Sequence, residues 1–252
     1  MYDLQKATGF KRFSAFLFDF IMISIIAVGF AFLVSWIVGY DAQLSAYEEK
    51  YKYYETLYNV DFDISDEEYG KLPGDELENF KAAENAFAAD PEIGGIVYKI
   101  MNLTLLIVSL PLFLAFLVLE FIIPLCLGNG QTAGKKIFGV GVMFSNGVKL
   151  SSLGLFARSL LGKFTVEVMV PVLILMMVFF FGAGAVGLLA LALIPVLECV
   201  LFFASQTRIL IHDAISGTVA VDMASQMIFD TYDDLLDYKK RIHAEAVEKS
   251  NY

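Results

Sequence analysis

The sequence predicts an all-α membrane protein: four transmembrane helices, a helical extracytoplasmic insertion between the first two, and a cytoplasmic amphipathic helix lying in the interface. Three observations carry that expectation. Hydrophobic residues fill 58% of the 252 positions and mean hydropathy is +0.65, where a soluble domain averages about 45–50% apolar. Charged residues are segregated from the apolar material rather than spread through it. The apolar runs are also long enough, since about 20 consecutive apolar residues cross about 30 Å of hydrocarbon.

The first run, residues 13–38, is interrupted only by Asp19. It exceeds a signal-peptide core and has no small-residue cleavage site before Tyr40, so it reads as a retained helix. The second run, 100–127, carries a single charge, Glu120. The third, 166–204, is too long for one span and about right for two. Gly182, Gly184 and Gly187 stand at its midpoint, where a tight turn needs glycine.

Charge sets the expected orientation. Residues 40–97 hold 15 Asp or Glu against 4 Lys, so nearly all of the net charge of -10 belongs to one loop. Outside residues 40–99, 13 Lys and Arg lie at the N-terminus, between the second and third runs, and at the C-terminus; 5 Lys lie within that insertion. Lys and Arg concentrate on the cytoplasmic side of membrane proteins, which places both termini there, in the cell membrane. The acidic balance argues against nucleic acid as a partner.

The insertion, residues 40–97, reads as helical over 45–57 and again over 75–89, after Pro73-Gly74 and before Pro91. DFDISDEEY invites a calcium-loop reading but has Asp66 where glycine is needed and Leu72 where glutamate is needed. Ser65 with Glu68 makes a capping box instead. Between the second and third runs, residues 137–144 suit a strand, Asn146-Gly147 a turn, and 148–150 a return strand. Ser151 and Ser152 then offer N-caps to a helix over 152–164, with Leu153, Phe156, Ala157, Leu160 and Phe164 on one face and Arg158 and Lys163 snorkelling from it. Residues 223–252 form a cytoplasmic tail with an amphipathic helix over 223–249. Cys126 and Cys199 sit in apolar runs without CxxC spacing or a nearby histidine, which excludes a zinc site or disulfide framework and leaves them as small buried apolar residues.

The ionisable residues inside the runs are the candidate site. A carboxylate near the bilayer centre costs about 2.5–3.5 kcal/mol or more, so it faces protein or water and has a partner. Asp19 follows Arg12 by close to two helical turns, on one face. Glu120 and Glu198 each lie about 10 Å by helical rise from the cytoplasmic end of their runs. Two readings compete: a layer that takes a cation or proton along a transport path, or acids neutralised by Arg12, Arg158 or Arg208 that fix helix packing.

Three segments then carry a resemblance. KRFSAFLFDFIMISII, with Arg12 and Asp19, GNGQTAGKKIFGVGV, with Gly130, Gln131, Thr132, Gly134 and Lys135, and RILIHDAISGTVAV, with His212, Asp213, Gly217 and Thr218, resemble in order and spacing the RDD family of bacterial membrane proteins. The resemblance spans residues 10–39 and 98–222, with Arg158 where the family commonly has an arginine, and the long acidic insertion departs from it. It implies a multi-pass protein, Asp213 as the second aspartate of the family's name, transport as the usual suggestion, and cation exchange against protons in some members. The GQTAGK stretch lacks the phosphate-loop frame, and His212-Asp213 adjacency does not by itself orient an acid on an imidazole.

The functional expectation is transport of a small cation or solute, with possible proton coupling, by Asp19, Arg12, Asp213, Glu120 and Glu198. The alternative is a non-transporting accessory or scaffold protein. Expected partners are membrane lipid, a small cation or proton, and a second copy or another membrane protein. No catalytic residue, cofactor or metal site is expected, and the chain does not read as an enzyme.

Overall fold

The computed structural model describes residues 4–182 and 184–250. The elements in order are α1 (Gly9–Val38), α2 (Tyr40–Tyr58), α3 (Asp66–Tyr69), α4 (Gly74–Ala89), α5 (Pro91–Phe116), a π-helical stretch (Leu117–Ile122) and α6 (Ile123–Leu127). There follow α7 (Ala133–Ile137), β1 (Val140–Phe144), α8 (Ser152–Phe156), a second π-helical stretch (Ala157–Met169) and α9 (Val170–Phe181). The chain closes with α10 (Gly184–Ala204), α11 (Ile211–Ser216), β2 (Thr218–Asp222) and α12 (Tyr232–Ser250).

Among the described residues, four helices are long and apolar enough to cross a membrane: Gly9–Val38, Pro91–Leu127, Ser152–Phe180 and Gly184–Ala204. Their outer faces are apolar, with Phe32, Trp36, Phe179, Leu189 and Phe203 largely exposed, while Asp19, Glu120 and Arg158 are buried. An exterior greasier than the interior is the arrangement a hydrocarbon solvent favours. The chain is an all-α membrane protein. Cys126 and Cys199 are exposed on these outer faces, not buried as their apolar surroundings suggested.

The chain divides into two units, one of residues 28–111 and one of 1–27 with 112–252. In the first, Gly39 takes a left-handed φ of 67° that ends α1 and starts α2. α2 and α4 pack through aromatic rings, Phe87 meeting Tyr47, Tyr51 and Tyr54 edge-on at 5.7–5.8 Å. Phe80 is buried there against Phe62 and Tyr69. The Ser65–Glu68 capping box forms as expected and starts α3. Asp90 accepts from the Glu92 N–H at 2.8 Å where α5 begins at Pro91, whose missing N–H is no loss in a first turn.

In the second unit, Ile23, Ala115, Phe116 and Leu119 form a core joined by Phe164 and Val168. The helix expected over 152–164 is present, capped by Ser151 at Gly154 N, yet it does not stop. It continues through the π-helical stretch into α9, so the third span begins at Ser152. Arg158 is buried rather than snorkelling. The expected turn at Asn146-Gly147 exists, with Gly147 at φ 93°. The return strand reduces to a Met143–Lys149 bridge, because the main partner of β1 is β2, antiparallel, with Val142 opposite Ala220. Both strands are buried on both faces for most of their length, packed with Ala7, Phe138 and Ile228. α12 starts later than expected, at Tyr232, because Thr231 and Asp234 cap each other there.

The pairing of β1 with β2 is testable by cross-linking. With Cys126 and Cys199 replaced by alanine, Val142→Cys with Ala220→Cys should oxidise to an intramolecular disulfide, since directly opposed strand positions lie about 4.5–5.5 Å apart at Cα. Val142→Cys with Val221→Cys puts the thiols on opposite faces and should not. Equal cross-linking of the two pairs would contradict the register.

Candidate functional site

Most buried polar residues of the second unit gather into groups. The first is built around Asp19. Thr132 donates to Asp19 Oδ2 at 2.5 Å, and Gly134 N–H donates to Oδ1 at 2.8 Å. Thr132 is also the N-cap of α7, accepting from Lys135 N–H. The GQTAGK stretch is therefore a helix start folded onto a carboxylate from α1. A Cβ on Gly134 would stand 2.8 Å from Asp19 Oδ1, so only glycine fits. Gln131 donates to Val140 O at 2.9 Å and ties the stretch to β1.

Lys135, the last residue of that stretch, reaches the second group. Glu120 is held by Lys163 and, at 3.7 Å, by Lys135. Burial pushes the Lys135 ammonium down to about 8, against the pull of Glu120. Asp19 and Glu120 thus approach a shared lysine, and Arg12 is not part of this group.

Arg12 turns instead to Asp213, at 3.2 Å, and to the carbonyl of Arg208 at 2.5 Å, its guanidinium lying over the Phe202 ring. Arg158 takes the other oxygen of Asp213 and Thr218 Oγ1. Asp213 has no exposed side-chain surface. Burial alone would raise its carboxyl; Arg158, then His212 and Arg12, more than offset that and hold it well below the usual carboxylate range.

The third group lies on the other side of α11. The N–H of Ile211 donates to Glu198 Oε1 at 3.3 Å and that of His212 to Glu167 Oε1 at 2.8 Å. His212 Nδ1 lies 2.7 and 2.9 Å from the two Glu167 oxygens, and its Nε2 faces Asp213 Oδ1 at 3.9 Å. Burial, with Arg158 adding, pushes the imidazole below its ordinary range. Gly162, on the π-helical stretch, gives α11 its close approach, since a Cβ there would be 2.8 Å from His212 Cα. Glu198 Oε2 is buried with no hydrogen-bond partner.

Of the five residues expected from the sequence, Arg12 and Asp213 meet directly. Asp19 and Glu120 meet through Lys135, and Glu198 stands with Glu167 and His212. Glu167 was not anticipated; it sits one residue inside the third apolar run, and an acid in such a run is the signal that marks it. His212 appeared only as part of a motif. Across the site, Arg12, Lys135, Arg158 and Lys163 stand with the carboxylates of Asp19, Glu120, Asp213, Glu167 and Glu198, and Arg208 lies over the same Phe202 ring as Arg12.

The family model described as RDD family matches residues 6–217, most of the chain. No curated protein and no solved structure matches.

The cap on Asp19 predicts a stability order in detergent micelles. Thr132→Ala removes a donor to a charged group and should cost about 1.5–3 kcal/mol. Thr132→Ser, which keeps the hydroxyl, should recover most of it. Gly134→Ala should cost about 1–3 kcal/mol by overpacking. Thermal unfolding that ranks Thr132→Ala level with wild type would contradict this role.

Proposed function

The chain belongs to the RDD family, and from that premise we propose that it moves a small cation across the cell membrane through the carboxylates buried among its spans. The observation that supports this reading is the Glu167–Glu198–His212 cluster, in which Glu198 Oε2 is buried without a hydrogen-bond partner among the described residues. A buried carboxylate without a counter-charge is costly, and a mobile cation is the partner that would supply it. No Lys or Arg among the described residues pairs with Glu167 or Glu198, while Asp213 and Glu120 already have two cations each. In this reading the fixed pairs hold the helices and the Glu167–Glu198 pair takes the ion. Asp19, beside Lys135, lies on the way. Both termini are on the cytoplasmic side, as the Lys and Arg distribution favours.

A second reading has its own support. Glu198 apart, the site carboxylates have close partners, which suits a rigid scaffold that moves nothing.

Purified protein in proteoliposomes, given gradients of a panel of monovalent and divalent cations with a pH dye inside, separates the two. Wild type should move at least one cation, Glu198→Gln and Glu167→Gln should fall to the level of protein-free vesicles, and circular dichroism should be unchanged. Asp19→Asn should lower flux and stability together, because it also weakens the cap on α7. A wild-type protein that moves no cation in the panel makes the scaffold reading the better one.

A further inference from the structure

Glu167, Glu198 and His212 come from three elements: the π-helical stretch of the third span, the fourth span, and α11. One donor atom of each lies within 4.8 Å of the others. The His212 ring is buried, with Nδ1 held at Glu167 and Nε2 turned to Asp213 Oδ1 at 3.9 Å, beyond hydrogen-bond distance. In metal sites the ligating histidine commonly directs its second nitrogen at a carboxylate, which fixes ring and tautomer. Asp213, clamped by Arg12 and Arg158, is the carboxylate that nitrogen faces here.

An independent observation is the Glu198 carboxylate. Oε1 accepts one bond, from Ile211 N–H at 3.3 Å, while Oε2 is buried and has none. Buried polar atoms are nearly always paired, so an orphaned carboxylate oxygen beside a second carboxylate and an imidazole asks for a ligand. A cation held by two carboxylates and an imidazole would supply that partner.

We propose that Glu167, Glu198 and His212 bind a divalent transition-metal ion, of the Zn²⁺, Mn²⁺, Fe²⁺ or Co²⁺ class. The donor set decides the class. Ca²⁺ takes six to eight oxygens and Mg²⁺ an octahedron of oxygens and waters, whereas imidazole with carboxylate suits the transition metals. Two donors each about 2.1 Å from a tetrahedral ion stand about 3.4 Å apart, so the three side chains must draw together on binding. Rotation of the Glu198 side chain, tethered by one long hydrogen bond, provides that. Three protein ligands leave coordination positions open for water. The inference names the cation class of the site proposed above and rests on that reading, so binding and flux are measured separately.

The test uses the full-length chain, purified in detergent and stripped with chelator. Titration with MnCl₂ followed by electron paramagnetic resonance, and with CoCl₂ followed by its visible spectrum, should show one ion per chain. Excess Ca²⁺ or Mg²⁺ should not displace it. Glu198→Gln and His212→Gln should each weaken binding at least about tenfold with unchanged circular dichroism. Should Glu198→Gln fail to fold, Glu198→Asp keeps the charge, shortens the reach and should weaken binding and shift the cobalt spectrum. No bound ion in wild type, or binding that these substitutions leave untouched, overturns the proposal. Metal binding without cation flux would uphold this site and remove the transport reading. Flux of a monovalent cation without metal binding would do the reverse.

Discussion

The carboxylate of Asp213, held between the guanidinium groups of Arg12 and Arg158, is the interaction on which the rest of the site depends. It carries no exposed side-chain surface, and its partners are 11% and 6% exposed. A charge so buried persists only when paired and hydrogen-bonded, and removing one partner strands the other. The three residues come from the start of the first span, the start of the third and the short helix after the fourth, so pairing them brings distant chain segments to one place. Thr218, which joins the same cluster through Arg158, begins β2, where it stands opposite Phe144 of β1. His212 is next to Asp213 in sequence, and its Nε2 faces the clamped carboxylate.

Around that clamp the structure inverts the usual soluble pattern. Apolar side chains face outward and the polar ones close on each other, because in hydrocarbon there is no water to satisfy a stray donor. The GQTAGK stretch shows how local chemistry serves this. Thr132 caps α7 and bonds Asp19, Gly134 offers its N–H where a side chain would not fit, and Lys135 leans on Glu120. Thr132, Gly134 and Lys135 thus each act on a carboxylate from another helix. The exception is the Glu167–Glu198–His212 group, where a carboxylate oxygen is buried without a donor. Among the described residues, Glu198 Oε2 is the buried side-chain atom left without a hydrogen-bond partner.

Much of this was legible from the amino acids. Run lengths and the glycines near residue 182 delivered four spans, and Ser65 with Glu68, Ser151 and Asn146-Gly147 marked an N-cap pair, a helix start and a turn that the structure contains. What was not legible depends on contacts distant in sequence. TVAVD is five residues long and its partner lies before two spans, so no local pattern announces the pairing. Arg158 and Lys163 looked like snorkelling residues because two cations in an apolar helix are costly in isolation. Asp213 and Glu120, on other segments, remove that cost. Glu167 escaped notice for a related reason, since its partner His212 is brought near by tertiary packing alone. Arg12 and Asp19 share a helix face, yet the guanidinium finds Asp213 and the carboxylate finds Thr132.

The central claim, that the Arg158–Asp213 pair ties the third span to the closing segment, is tested most directly by a double-mutant cycle on unfolding free energy in mixed micelles. Arg158→Ala and Asp213→Ala should each cost about 3–5 kcal/mol, because each strands a buried charge. The double variant should cost about as much as either alone, which leaves a large coupling energy. Single effects that simply add would contradict the account, since two residues that do not depend on each other cannot hold these segments together.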